Sequence, residues 1–204
     1  MTVLSRPDTA DRRREAEEGF LAATESLLSE GHPYADLSVE RIAARAGRPR
    51  TAFYIYFRDR RDLLMRLAER VSAQLYDLSE RWWRGRGGAD DLRPTLGEIM
   101  ETYRDHASLL GAVIEASGYD ERVSGFWRAV VGRFIEATRS RLIEEGESPD
   151  AARAKAFALC WMTERTLYQQ FVGGAPHEDP AVLDALVDVW QHSVYDEPGD
   201  SKRR

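Results

Sequence analysis

Seven arginines lie between residues 41 and 61 (Arg41, Arg45, Arg48, Arg50, Arg58, Arg60 and Arg61), with Asp59 the single acid among them. Guanidinium groups at this density suit phosphate, which Arg meets with a fork of parallel N–H donors. Arg also reads guanine through O6 and N7 in the major groove of DNA. The whole chain carries a formal net charge of −6, so the cluster is a local basic patch on an acidic protein. Such a patch steers one face toward polyanions while the remainder repels them. The plain alternative is a solvated helix surface, which is what most charge runs are.

Other chemistries find less support. His32, His106, His177 and His192 are the only histidines, and none forms a ligand-like pair such as His-x-x-x-His. No glycine-rich phosphate loop occurs. Cys160 is alone, which excludes an intrachain disulfide framework and a multi-cysteine metal site. It sits in a helical apolar segment and reads as a small buried hydrophobe rather than a reactive thiol. Glu101, Glu115 and Glu164 could in principle form an acid/base pair, a placement that the sequence leaves open. The expectation is no catalytic residue, no metal and no cofactor. With no 18-residue apolar run and no export signal, it is also a cytoplasmic chain that does not enter membranes.

The elements that must position these groups are all helices. Phe20, Leu21, Thr24, Leu27 and Leu28 share one helical face that stops at Gly31 and Pro33. Ser38 caps a second helix, with Glu40 at its positive end and Val39, Ile42, Ala43 and Ala46 facing inward. Gly47 breaks it. Arg50 to Tyr56 forms a short third helix, and Asp59 caps a long fourth that ends at Gly85-Arg86-Gly87-Gly88. Further helices follow at Leu92 to Leu110, around Val113, at Val123 to Ile143, and at about 149–172 and 180–195. Ser148-Pro149 and Asp179-Pro180 open the last two. The reading is an all-α chain of about nine helices without repeats. It divides after the third helix into residues 11–57 and 58–195, with flexible termini at 1–10 and 196–204.

Helices two and three satisfy the mechanics of a helix-turn-helix. Ala43 is small where the helices cross, and Gly47, four residues on, supplies the positive φ of the turn. Phe53 and Phe57 pin the third helix to a core, which leaves Arg48, Arg50, Thr51 and Tyr54 to a groove. Arg60 stands at the start of the fourth helix, a place for a phosphate.

These residues carry a resemblance. Ile42-Ala43-Ala44-Arg45-Ala46-Gly47, Phe53-Tyr54-Ile55-Tyr56-Phe57 and Asp59-Arg60-Arg61-Asp62-Leu63 resemble the N-terminal domain of TetR-family repressors. The resemblance implies that Tyr54, Tyr56 and Arg60 hold phosphates, that Arg48 to Ala52 face the bases, and that Ser38 touches the DNA backbone. Arg48, Pro49 and Ala52 depart from the apolar residue, Ser and Thr usual there, and Arg60 replaces a habitual Lys. Trp161-Met162-Thr163-Glu164-Arg165-Thr166-Leu167-Tyr168, with Leu183, Leu186, Val187, Trp190 and Tyr195 downstream, is similar to the ethionamide-activator repressor subgroup.

With the helix-turn-helix as a DNA-binding domain at 11–57, that likeness implies that 58–195 is a ligand-binding and dimerisation domain with an elongated pocket for a small molecule. Its walls would be Ile99 and Tyr103, then Trp127, Val130, Val131, Phe134 and Thr138, then Cys160, Thr163, Glu164, Tyr168 and Trp190. Cys160 and Thr163 stand where the subgroup offers Asn, which suggests a roomier, less amide-rich site for a lipophilic effector. Core packing is the plain alternative for the aromatics, and a structural network for Thr163, Glu164 and Arg165. The family pairs its last two helices in a homodimer, with Phe171, Leu183, Leu186 and Val194 as candidate contacts here. Two reading heads on a pseudo-palindromic double-stranded operator would sit about 34–36 Å apart. The expected function is a repressor released from its operator by the effector. The rival is a helical ligand-binding dimer without specific operator recognition.

Overall fold

A computed structural model describes residues 9–85, 88–174 and 176–195. The elements, in order, are α1 (Thr9–Ser29), α2 (Val39–Arg45), α3 (Arg50–Tyr56), α4 (Arg60–Arg84), α5 (Leu92–Asp105), α6 (Ala107–Ser117), α7 (Glu121–Glu144), α8 (Pro149–Phe171) and α9 (Asp179–Tyr195), with short 3-10 turns at Tyr34–Asp36 and Gly88–Asp91. Among the described residues there is no β-strand, and no helix is long and apolar enough to cross a membrane. The expectation for residues 1–8 and 196–204 falls outside the described residues; Thr9 and Ala10 already belong to α1.

Residues up to Ala68 make one compact unit and those from Glu69 a second, so the division falls within α4 rather than at the 57–58 loop expected from sequence. Leu63, Leu64 and Leu67 of α4 are buried in the first unit. Its centre is aromatic: the Phe20 ring meets Phe53 edge-on at 5.5 Å and Phe57 at 6.2 Å, and Phe53 and Phe57 lie 5.2 Å apart. Such pairs add about 0.5–1.5 kcal/mol each beyond the area they bury. Leu27, Leu37 and Ile42 complete this core.

In the second unit α7 and α8 pack along each other, α6 fits against α7, and α9 lies on α5. The helix expected from Leu92 to Leu110 is two helices, because His106 leaves the helical region (φ −110°, ψ 19°) between α5 and α6. No Gly or Pro announces that break. It lets α6 bury Leu109, Leu110, Val113 and Ile114. Ser148 caps α8 by accepting from the Ala151 N–H. The buried Gln170 side chain clasps the α8–α9 connection, bonding both the N–H and the C=O of His177 and the Asp179 carboxylate. Arg141 of α7 donates to the carbonyls of Trp83 and Gly85, which satisfies acceptors left open at the end of α4.

Candidate functional site

The first unit presents α3 as the notional reading rod. α2 ends in a Schellman turn: the Arg48 N–H donates to the Ala43 carbonyl at 2.9 Å and the Gly47 N–H to Ala44 at 3.1 Å. Gly47 sits at φ +64°, a conformation that side chains resist. Ser38 accepts from the Arg41 N–H at 3.1 Å and so starts α2. Phe53 and Phe57 are buried, and the opposite face of α3 exposes Arg50, Thr51, Tyr54 and Ile55. Ile55 is 63% exposed, a residue that sequence reasoning passed over within an aromatic run. An exposed apolar group on such a rod suits the methyl group of thymine.

The arginines are less available than their sequence suggests. Arg45 forms a fork with Glu30, at 2.5 and 2.7 Å, and also donates to Ser26. That contact pulls the Glu30 carboxyl down to about 2. Arg41 bonds the His32 ring, Arg58 pairs with Asp62, and Arg61 pairs with Asp59. Arg50 pairs with Glu40 at 2.9 Å and donates to the Tyr54 hydroxyl at 3.2 Å. Glu30, Glu40 and Asp62 lie outside the 41–61 window, so counting charge along the chain overstated the patch.

Three of the residues expected at DNA are turned partly inward. Arg60 does not project outward: it donates to the carbonyls of Tyr34, Ala35 and Leu37 and lies over the Tyr34 ring. It closes the turn before α2. Arg48 is half-buried, its Nε 3.7 Å from where a Gly19 side chain would begin, so it lies along α1 rather than on the rod. Tyr56 is also half-buried, its ring 5.9 Å from Phe20. What remains outward is Arg50, Thr51 and Tyr54, with Ser38 nearby in the chain. An exposed pair such as Arg50–Glu40 is weak, so DNA approaching α3 would displace Glu40 from Arg50 at little cost.

The second unit holds an apolar cavity of about 120 Å³. All the expected wall residues except Tyr168 line it: Ile99 and Tyr103 from α5, Trp127, Val130, Val131, Phe134 and Thr138 from α7, Cys160, Thr163 and Glu164 from α8, and Trp190 from α9. At Tyr168 the neighbouring Leu167 takes the wall, while the Tyr168 ring packs under the Arg165 guanidinium at 4.9 Å. One whole wall was missed. It is α4, through Ser72, Leu75, Ser79, Trp82 and Trp83, continued by Leu92, Thr95 and Leu96. The apolar spacing of α4 was the available signal.

The polar groups of the cavity are few. Thr163 accepts from the Trp190 indole at 2.9 Å, which ties α8 to α9. The Trp82 indole donates to the Tyr195 hydroxyl at 2.9 Å, and its ring meets Trp190 edge-on. Thr138 lies 3.6 Å from the Cys160 sulfur, and burial pushes that thiol up to about 11, which leaves it inert as a nucleophile. Glu164 Oε1 accepts from the Trp127 indole at 3.3 Å. Burial raises the Glu164 carboxyl above its ordinary 4.5, against the lowering effect of Arg165 and of the Trp127 bond. Burial, and then the charge of Glu164, raises the Tyr103 phenol. Among the described residues, no group of three or more His, Cys, Asp or Glu could hold a metal ion.

Of the expected dimer contacts, two are buried in the protomer and two are half-buried. Leu186 and Val194 are buried, Phe171 stacks beside Tyr103 under Arg104, and Leu183 reaches Gly97 of α5. The apolar groups left outward on α8 and α9 are Phe157, 59% exposed, and Val189, 40% exposed. Trp161, half-buried, lies one turn from Phe157, with ring centres 6.5 Å apart.

Comparison with known proteins agrees with this division. Residues 20–67 match the model for bacterial regulatory proteins of the tetR family, and residues 92–196 match the C-terminal domain of the transcriptional regulator EthR. The HTH-type transcriptional regulator EthR of Mycobacterium tuberculosis is 33% identical over 208 residues, which cover 95% of this chain and 91% of the relative. The regulator of the same name in Mycolicibacterium smegmatis is 26% identical, over 96% of each chain. Among solved structures, a TetR-family transcriptional regulator from Streptomyces coelicolor superposes with a TM-score of 0.71 at 18% identity, covering 88% of this chain and 80% of that one. The regulator FadR from Bacillus subtilis, solved with stearoyl-CoA, gives 0.66 at 15% identity over 87% and 97% of the two chains. Both are likenesses of fold.

Proposed function

The chain belongs to the TetR family of bacterial transcriptional regulators, with a C-terminal domain of the EthR kind, and from this premise we propose that it is a repressor released from its operator by a lipophilic small molecule. The unliganded homodimer would set its two α3 helices in successive major grooves of a pseudo-palindromic site. Arg50, Thr51, Tyr54 and Ile55 would meet the base edges, with Ser38 on the backbone. Phe157, Trp161 and Val189 on α8 and α9 would form the contact between protomers, in place of Leu186 and Val194, which are buried.

One observation carries the ligand half of this reading. The cavity, at about 120 Å³, is smaller than the roughly 300–1,000 Å³ of sites that take drug-sized ligands. An effector of that size fits only by moving a wall. α4 is the wall that also supplies Leu63, Leu64 and Leu67 to the core of the unit bearing α3. A ligand that displaces α4 therefore favours one spacing of the reading heads over another, and it acts only through that difference in affinity. An enlarged, pre-formed pocket, as the sequence suggested, is not required.

The test is a gel shift with DNA flanking the gene itself, repeated with an unrelated duplex and with Arg50→Ala. Repression predicts a specific complex, and a loss in Arg50→Ala that is larger on the specific site than on the unrelated duplex. The rival, a ligand-binding dimer with no operator of its own, draws on the inward Arg60 and the Arg50–Glu40 pair. It predicts equal, weak binding to both duplexes.

A further inference from the structure

Glu164 is the one acid among the described residues of the cavity wall, and its side chain is only 8% exposed. Its Oε1 is engaged by the Trp127 indole, while Oε2 has no hydrogen-bond partner among the described residues. The nearest cation, Arg165 Nε, stands 3.9 Å from Oε2, beyond hydrogen-bond reach, on a side chain that is itself 55% exposed. From α5 the buried Tyr103 hydroxyl, also without a partner, lines the same cavity and feels the Glu164 charge. A buried carboxylate with a vacant lone pair is costly unless a proton or a cation meets it. The ring systems of Trp127 and Tyr103 beside it are surfaces that attract cations.

We infer that Glu164 and Tyr103 form a polar subsite for a primary ammonium group, so that the effector is a lipophilic amine rather than a neutral lipid. The ammonium would donate to Glu164 Oε2 and to the Tyr103 oxygen, while its hydrocarbon lies among Leu75, Val130, Val131 and Phe134. Three donors on a compact head suit two acceptors, and the apolar lining takes the tail. The subsite rests on the ligand chamber proposed above.

The probes are n-octylamine and 1-octanol, titrated by calorimetry into the full chain at pH 7, where an alkylamine is protonated. In an apolar cavity without a partner, an ammonium binds worse than the matching alcohol. The expected result is the reverse, with the amine bound about tenfold or more tightly, as a charge-assisted hydrogen bond provides. Glu164→Gln removes that preference, and Tyr103→Phe reduces it by about threefold or more. Thermal unfolding of each variant checks that it is folded, and Tyr103→Phe keeps the test alive if Glu164→Gln is not. Alcohol bound as well as amine by the wild type, or amine preference intact in Glu164→Gln, overturns the subsite and leaves the chamber standing. Binding of neither probe overturns the chamber itself, and the subsite with it.

Discussion

Arg60 and Arg50 look alike in sequence and do different work. Arg60→Ala removes donors from three turn carbonyls, which predicts a loss of about 1–3 kcal/mol in urea unfolding and a looser start to α2. Arg50→Ala should leave stability nearly unchanged, since its pair is exposed. Glu164 carries a pH prediction. Burial holds its folded carboxyl above 4.5, so as pH rises the unfolded chain releases that proton first. Its favourable contribution is complete below pH 4.5 and is lost as pH climbs through the folded value. Glu164→Gln should therefore unfold at a higher temperature than wild type at neutral pH, with the gap closing by pH 4; an unchanged gap would mean the carboxyl is not strained by burial. Tyr168 and Leu167 illustrate how finely such sites are set. Adjacent helical residues point about 100° apart, so an error of one position exchanges the cavity wall for the surface.

Among the elements, the α2–α3 pair was legible because its signals are local. Ser38, Ala43, Gly47, Phe53 and Phe57 each act within a few residues, and each stands where the turn and the core require it. Gly47→Ala should cost about 1–2 kcal/mol from the left-handed φ alone, read as a lower urea midpoint, and should weaken operator binding further by loosening the Schellman turn. The His106 break was illegible, because tertiary packing imposes it on a sequence with ordinary helical spacing. The α4 wall was missed for a related reason. Ser72 and Ser79 are polar in type, yet both are buried, and Ser79 returns its hydroxyl to the Leu75 carbonyl. The arginine partners were hidden by distance: Glu30 belongs to the turn after α1 and meets Arg45 fifteen residues on.

At the scale of the whole molecule, assembly and charge decide behaviour. Phe157→Glu should shift the chain toward monomer in sedimentation and abolish specific operator binding, because it sets a charge on the outward face of α8. If each protomer neutralises about four phosphates, the dimer's log affinity would fall with log salt at a slope near −7. The Arg50–Glu40 pair changes that arithmetic. Each reading rod already carries its own anion, which the duplex would have to displace from Arg50. When the two trade places, the ousted carboxylate gathers sodium or potassium from the medium and returns part of what the nucleic acid gives up. The protein would then act as an ion exchanger, and the slope should be shallower by roughly one unit per rod, near −5. Glu40→Gln removes the resident anion and should steepen it again.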